Sequence, residues 1–201
     1  MNPKSSWLGL VFILLAVAAL TFLSPPEATL GANARLVYLH GAWVWAALAA
    51  FIVAAAIGLV ALLRRREALY RWSRAWGRAA ILFWVTYLPV SLWAMQTNWN
   101  GLFLAEPRWR LAWVFSITGI LLQLGLSFLP VRWSPVGNIA FLLSLFAALL
   151  STENVMHPPS PMLDSGFGRI QFFFAALTLL LIFAAWQIAR LFYGLRTKRS
   201  M

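Results

Sequence analysis

The chain has no cysteine, only two histidines and only five acidic residues against sixteen lysines and arginines. The missing cysteines exclude disulfides, iron–sulfur clusters and a covalently attached c-type haem, whose attachment needs C-x-x-C-H. Charge is scarce too, at 10% of residues, where a soluble domain carries about a quarter. No soluble domain, fixed-period repeat or low-complexity linker interrupts the chain. The remainder is 62% hydrophobic.

That apolar material falls into six runs: Trp7–Ser24, Leu36–Leu63, Ala79–Met95, Leu111–Pro130, Val136–Leu150 and Ile170–Leu191. A bilayer span takes ~20 apolar residues, because a helix rises ~1.5 Å per residue across ~30 Å of hydrocarbon. The first run has a signal-peptide flavour, with Lys4 before it and Ala-x-Ala at Ala32–Ala34 after it. It is longer than a signal core, so it reads as a span. The expectation is an all-α, polytopic, six-transmembrane-helix bundle forming one domain over residues 1–201.

The net charge of +11 reads as a topology signal, not as a nucleic-acid signature. With both termini cytoplasmic, Lys4, Arg64, Arg65, Arg66, Arg71, Arg74, Arg78, Arg132, Arg190, Arg196, Lys198 and Arg199 fall inside. Arg35, Arg108, Arg110 and Arg169 fall outside, with Glu27, Glu106, Glu153 and Asp164; Glu67 is the one inner acid. This places the chain in an inner (plasma) membrane as a multi-pass protein. The "RRREALYRWSRAWGR" stretch reads as an inner loop that touches membrane lipid.

Both histidines then lie on the outer side. His40, in "RLVYLHGAWVW", sits about one turn into the second span, and His157, in "ENVMHPPSPML", follows the fifth in a proline-rich loop. Ionisable residues in spans are costly and tend to serve function. Two neutral imidazoles suit a non-covalent haem b, whose macrocycle leaves two axial positions. Zinc or copper would need Glu106, Glu153 or Asp164 to complete a set. The plain alternative is an interfacial histidine within an ordinary aromatic belt. Gly41 either gives a macrocycle room or serves close helix packing. Trp43, three residues beyond His40, shares its helix face. The outer Arg35, Arg108 and Arg110 suit haem propionates, or else pair locally, as Glu106 with Arg110. Met156 and Met162 are further axial candidates, or filler.

These stretches carry a resemblance. "RLVYLHGAW" and "VMHPPSPMLDS" resemble the two outer histidine segments of the cytochrome c assembly family of haem-handling membrane proteins, most closely its haem-exporter C branch. Between them that family has a tryptophan-rich motif, W-G-T-W-W-V-W-D-A-R. Here "WNGLFLAEPR" stands in its place: Trp99 and Arg108 match, Glu106 replaces the aspartate and Phe103 one tryptophan, while Leu102 and Ala105 stand where two more would be. The resemblance implies His40 and His157 as axial haem ligands and Trp99, Phe103, Glu106 and Arg108 as an outer haem platform. It also implies a haem transporter and a haem chaperone as partners, and no enzymatic activity of the chain itself. Two other classes stand beside this reading. One is a b-type cytochrome subunit relaying electrons within a respiratory or photosynthetic membrane complex. The other is a haem-free structural subunit.

Overall fold

The computed structural model describes residues 3–156 and 162–197. His157, Pro158, Pro159 and Pro161 lie outside the described residues. Six long helices run in chain order: α1 Pro3–Leu23, α2 Ala34–Arg64, α3 Glu67–Trp99, α4 Pro107–Phe128, α5 Ser134–Leu150 and α6 Gly168–Thr197. A short 3-10 turn, Val131–Trp133, precedes α5. Each of the six is long and apolar enough to cross a membrane. Among the described residues there is no strand, only an isolated bridge between Glu27 and Gly31.

Neighbouring contacts alternate the helix directions. Gly9 of α1 faces Gln187 of α6, Gly41 of α2 faces Phe174 of α6, and Gly58 of α2 faces Ser73 of α3 and Pro135 of α5. The α1–α2, α3–α4 and α5–α6 links therefore share one end with His40, the histidine end. The other two links share the arginine-rich, basic end with the start of α1 and the end of α6.

The core forms around α2 because that helix carries a stripe of small residues. Ala34, Ala42, Ala46, Ala47, Ala50, Ala54 and Ala61 are all essentially buried. Alanine lets neighbouring backbones approach closely, which favours helix association where lipid supplies no hydrophobic drive. α2 packs most extensively on α3, and also on α5 and α6. Faces of α1, α4 and α6 instead display large apolar side chains, such as Phe12, Leu121 and Phe183, as expected of a lipid-facing surface.

One expectation needs correction. The basic stretch after Arg66 is helix, not loop: α3 begins at Glu67, twelve residues before the apolar run at Ala79. Only Arg65 and Arg66 join α2 to α3, with Arg65 in the left-handed region at φ 50°. The helix extends because its first turns have their own partners. Glu67 pairs with Arg71 one turn on, and Trp72 stacks on Tyr193 of α6 at 4.3 Å between ring centroids. Nor does this whole stretch meet lipid. Arg74 is buried, donating from Nε to Ser134 Oγ at 2.6 Å and from its terminal nitrogen to Leu129 O at 3.0 Å.

Candidate functional site: a cavity at the histidine end

α2 brings His40 inward at the histidine end, and the face of α3 opposite it is set by helical spacing. Trp84, Tyr87, Ser91, Ala94, Met95 and Asn98 recur at three- and four-residue intervals and so line one side. Between these faces lies a cavity of about 570 Å³, within the ~300–1,000 Å³ usual for small-molecule and cofactor sites. Trp99, Glu106, Arg108, Trp109 and Leu111 close it from the α3–α4 connection and the start of α4. Met162 and Phe174 close it from the α5–α6 side.

The aromatic wall is fixed by contacts within the bundle. The His40 ring lies 5.8 Å from that of Tyr87, and Tyr87 packs edge-on to Trp84 at 5.0 Å. Trp84 is anchored by its indole N–H, which donates to Ala112 O of α4 at 3.2 Å. His40 Nδ1 is shielded from solvent. The imidazole thus sits at the cavity wall within a rigid helix-to-helix interface.

Glu106 owes its place to helix capping. It precedes Pro107, the first residue of α4, and its Oε2 accepts the backbone N–H of Trp109 at 2.6 Å. Proline at the first helical position and an acid at the N-cap are both preferred there. The cap holds the carboxylate almost fully buried, at 3% exposure, and its other oxygen, Oε1, has no hydrogen-bond donor. Asn98 resembles it: Nδ2 donates to Ala94 O at 3.0 Å, while Oδ1 is buried without a donor.

Of the residues singled out from sequence, His40, Trp99, Glu106 and Arg108 line this cavity. Gly41 and Met162 line it too; His157 lies outside the described residues, and Trp43, Phe103, Arg35, Arg110 and Met156 are placed elsewhere. Trp43 does not share the cavity with His40: its indole N–H donates to Thr86 Oγ1 at 3.2 Å and its ring packs on Phe83 at 5.5 Å. The three-residue offset turns it toward the next groove along α3. Phe103 stands behind the wall, edge-on to Trp99 at 5.6 Å and partly exposed. Arg35 lays its guanidinium over Phe22 at 4.9 Å, with Nε buried and unpartnered. Arg110 is exposed, and Glu106 turns onto its own helix terminus instead of toward it. Tyr38 is fully buried in helix packing and is not part of the cavity wall.

Gly41 lines the cavity and also admits Phe174, whose ring would lie 3.0 Å from an added Cβ. Its missing side chain therefore serves the α2–α6 crossing. Met162 is buried in the cavity wall, whereas Met156 is exposed.

Sequence reasoning missed Trp84, Tyr87, Ser91, Asn98 and Trp109. A signal for the first four was present. Ser91 and Asn98 are polar residues one face apart in a long apolar helix, in phase with Trp84 and Tyr87. Comparison of the chain with protein-family models, with curated proteins and with solved structures finds no match.

Proposed function

We propose that this is a haem-binding integral membrane protein whose site lies at the histidine end, with His40 and His157 as the residues that would hold the haem iron. The observation that carries the proposal is the convergence of His40 with Trp99, Glu106 and Arg108 on one cavity. His40 is 59 or more positions from the other three in the chain, and the resemblance to the cytochrome c assembly family had singled them all out. The donor set fits a haem. A neutral imidazole suits iron, an arginine suits a propionate, and the tryptophans and Tyr87 offer flat apolar surface to a macrocycle. When bound, a haem would supply iron that the His40 imidazole could hold. The chain's part is to hold His40 on a rigid helix, shield its ring from water, and present Arg108 at the rim.

The same reading orients the bundle with its basic end in the cytoplasm, since the sequence assigns twelve basic residues to that side and four to the other. The membrane is then the inner (plasma) membrane and haem is held at its outer face. The resemblance places the activity in haem delivery during cytochrome c biogenesis, beside a transporter and a chaperone.

The test is the visible spectrum of the full-length protein purified from haem-replete cells. Wild type shows a Soret band. His40→Ala loses it, and His157→Ala retains a weaker, five-coordinate form. Wild-type protein without a Soret band, or both variants with unchanged bands, overturns the proposal. Transfer of the bound haem to apomyoglobin within minutes supports delivery; retention assigns the chain instead to the b-type cytochromes.

A further inference from the structure

α2 and α5 hold together over only part of their length. Near the basic end they nearly touch: a Cβ added to Gly58 would lie 3.1 Å from Pro135 Cα. They meet again at Phe51 and Phe141, whose ring centroids are 5.0 Å apart. Beyond that second contact, toward the histidine end, both helices line the cavity, α2 with Trp45 and Leu48 and α5 with Phe146, Leu149 and Leu150. The two contacts fix an antiparallel register, and continuing it puts Trp45 level with Ala147 and Ala148. Ala148 follows Phe141 by seven residues and so lies on the face of α5 that meets α2. A methyl group there reaches little way across to α2, so the helices part where the cavity begins.

The parting opens on the side of the bundle. Trp45 lines the cavity and is also 41% exposed, and Leu150 lines it at 85% exposure. These residues stand at the border between the cavity and the flank. Trp45 is eleven residues into α2, about 16 Å along the helix axis from its start. That depth lies within the hydrocarbon of a bilayer, and all five residues of the opening are apolar. What reaches the opening is therefore a solute of the lipid, not of the water.

We infer that the cavity is loaded from the side. The parting of α2 and α5 is a lateral entrance for a flat apolar ligand dissolved in the bilayer, and Trp45 is its gate. The identity of that ligand as haem rests on the function proposed above. The route rests only on the cavity and on the two helices that bound its opening.

The chain has no cysteine, so one introduced thiol reports on one place. Ser91→Cys puts it on the α3 wall of the cavity, at a buried residue. Leu143→Cys puts it on the exposed side of α5, off the cavity. Full-length, haem-depleted protein in lipid nanodiscs is treated with N-phenylmaleimide, which dissolves in lipid, or with N-(4-carboxyphenyl)maleimide, which has much the same shape but carries a charge. Ser91→Cys should react with the neutral reagent at least about tenfold faster than with the charged one. Adding Ala148→Trp, which plugs the opening, should slow the neutral reagent about tenfold, and adding Trp45→Ala instead should quicken it about threefold. Neither change should alter the rate at Leu143→Cys, which controls for general damage. Equal rates for the two reagents at Ser91→Cys, a neutral rate indifferent to both added changes, or no reaction there while Leu143→Cys reacts overturns the inference. Uptake of haem from liposomes, followed by the Soret band, should slow by the same factor in Ala148→Trp and reach the wild-type amplitude. Uptake at the wild-type rate in that variant removes the entrance and leaves the haem reading. A wild type with the expected labelling pattern and no Soret band removes the haem reading and leaves the entrance.

Discussion

Asn138 and Asn98 are both asparagines in apolar helices, one near the basic end of the bundle and one at the histidine end. Asn138 is fully engaged. Its Nδ2 donates to Ser73 O at 2.8 Å and Ser73 Oγ at 3.0 Å, and its Oδ1 accepts from Gln123 Nε2 at 3.0 Å. Ser73 Oγ in turn donates to Ala54 O. One side chain thus joins α3, α4 and α5, and through Ser73 reaches α2. Asn98 donates only to its own helix, and its Oδ1 is buried without a donor. At the basic end polar groups are spent on each other, with Gln123 Oε1 the exception. At the histidine end Asn98 Oδ1 and Glu106 Oε1 stay unpaired. The contrast separates polar residues that join helices from polar residues that the packing leaves without a donor.

The comparison breaks most sharply at Gly77. A side chain there would run directly into the Asn138 amide, which is pinned on both sides. Gly77→Leu should cost about 3 kcal/mol, the upper end of overpacking penalties. Thermal unfolding followed by circular dichroism in detergent checks it. A variant as stable as wild type would mean that the inner polar cluster is loosely packed.

Removing the Asn138 amide is the next largest effect. Asn138→Ala deletes the bonds to Ser73 and Gln123, each worth about 0.6–1.7 kcal/mol in a membrane bundle, and should destabilise by about 2 kcal/mol. Asn98→Ala, the matched change at the other end, should cost less than about 1 kcal/mol, since it loses one intrahelical bond and removes an unpaired acceptor. Equal losses in the two variants would erase the distinction between the ends.

Trp43→Phe sharpens the boundary of the cavity. It removes the bond to Thr86 Oγ1 and should cost about 0.5–1 kcal/mol of stability, while the Soret band stays as in wild type. A shifted band would bring Trp43 back to the site that the sequence first suggested for it.

The smallest effect is expected at the α1–α2 link. The Glu27 carboxyl is held below its ordinary value by the backbone amides of Leu30 and Thr29, which donate to Oε2 at 2.9 and 2.8 Å. A lowered folded-state value means that the contribution is complete above the ordinary carboxylate range near 4.5 and is lost as pH falls through the folded value. The protection factors of the Thr29 and Leu30 amides, each taken against intrinsic exchange at the same pH, should fall on acidification below that range, with those in the bundle core unchanged. Protection factors independent of pH would mean that the turn holds without the carboxylate.

How much was legible beforehand differs between fold and site. The six apolar runs found their helices because length and hydropathy act locally: a stretch either spans the hydrocarbon or does not. The first turns of α3 were misread because arginines hid a helix whose support comes from Tyr193 and Ser134, residues 121 and 60 positions from their partners Trp72 and Arg74. His40, Trp99, Glu106 and Arg108 were picked out by residue type and by resemblance. Trp43 was placed with them because a three-residue spacing puts two side chains on one helix face. That spacing cannot say which of two adjacent grooves each one enters.

The sequence by itself determined the class of the protein. An apolar chain without cysteine, with its basic residues gathered between alternate runs, has few ways to satisfy its backbone except as membrane helices. Tertiary structure alone decided which polar groups are satisfied. Asn98 and Asn138 look alike in the chain, as do Glu106 and the other acids of its side. Whether each meets a donor depends on which helices pack against it, and that follows from the small-residue face of α2 drawing α3, α5 and α6 around it. The cavity is what this packing leaves open among α2, α3, α5 and the start of α4.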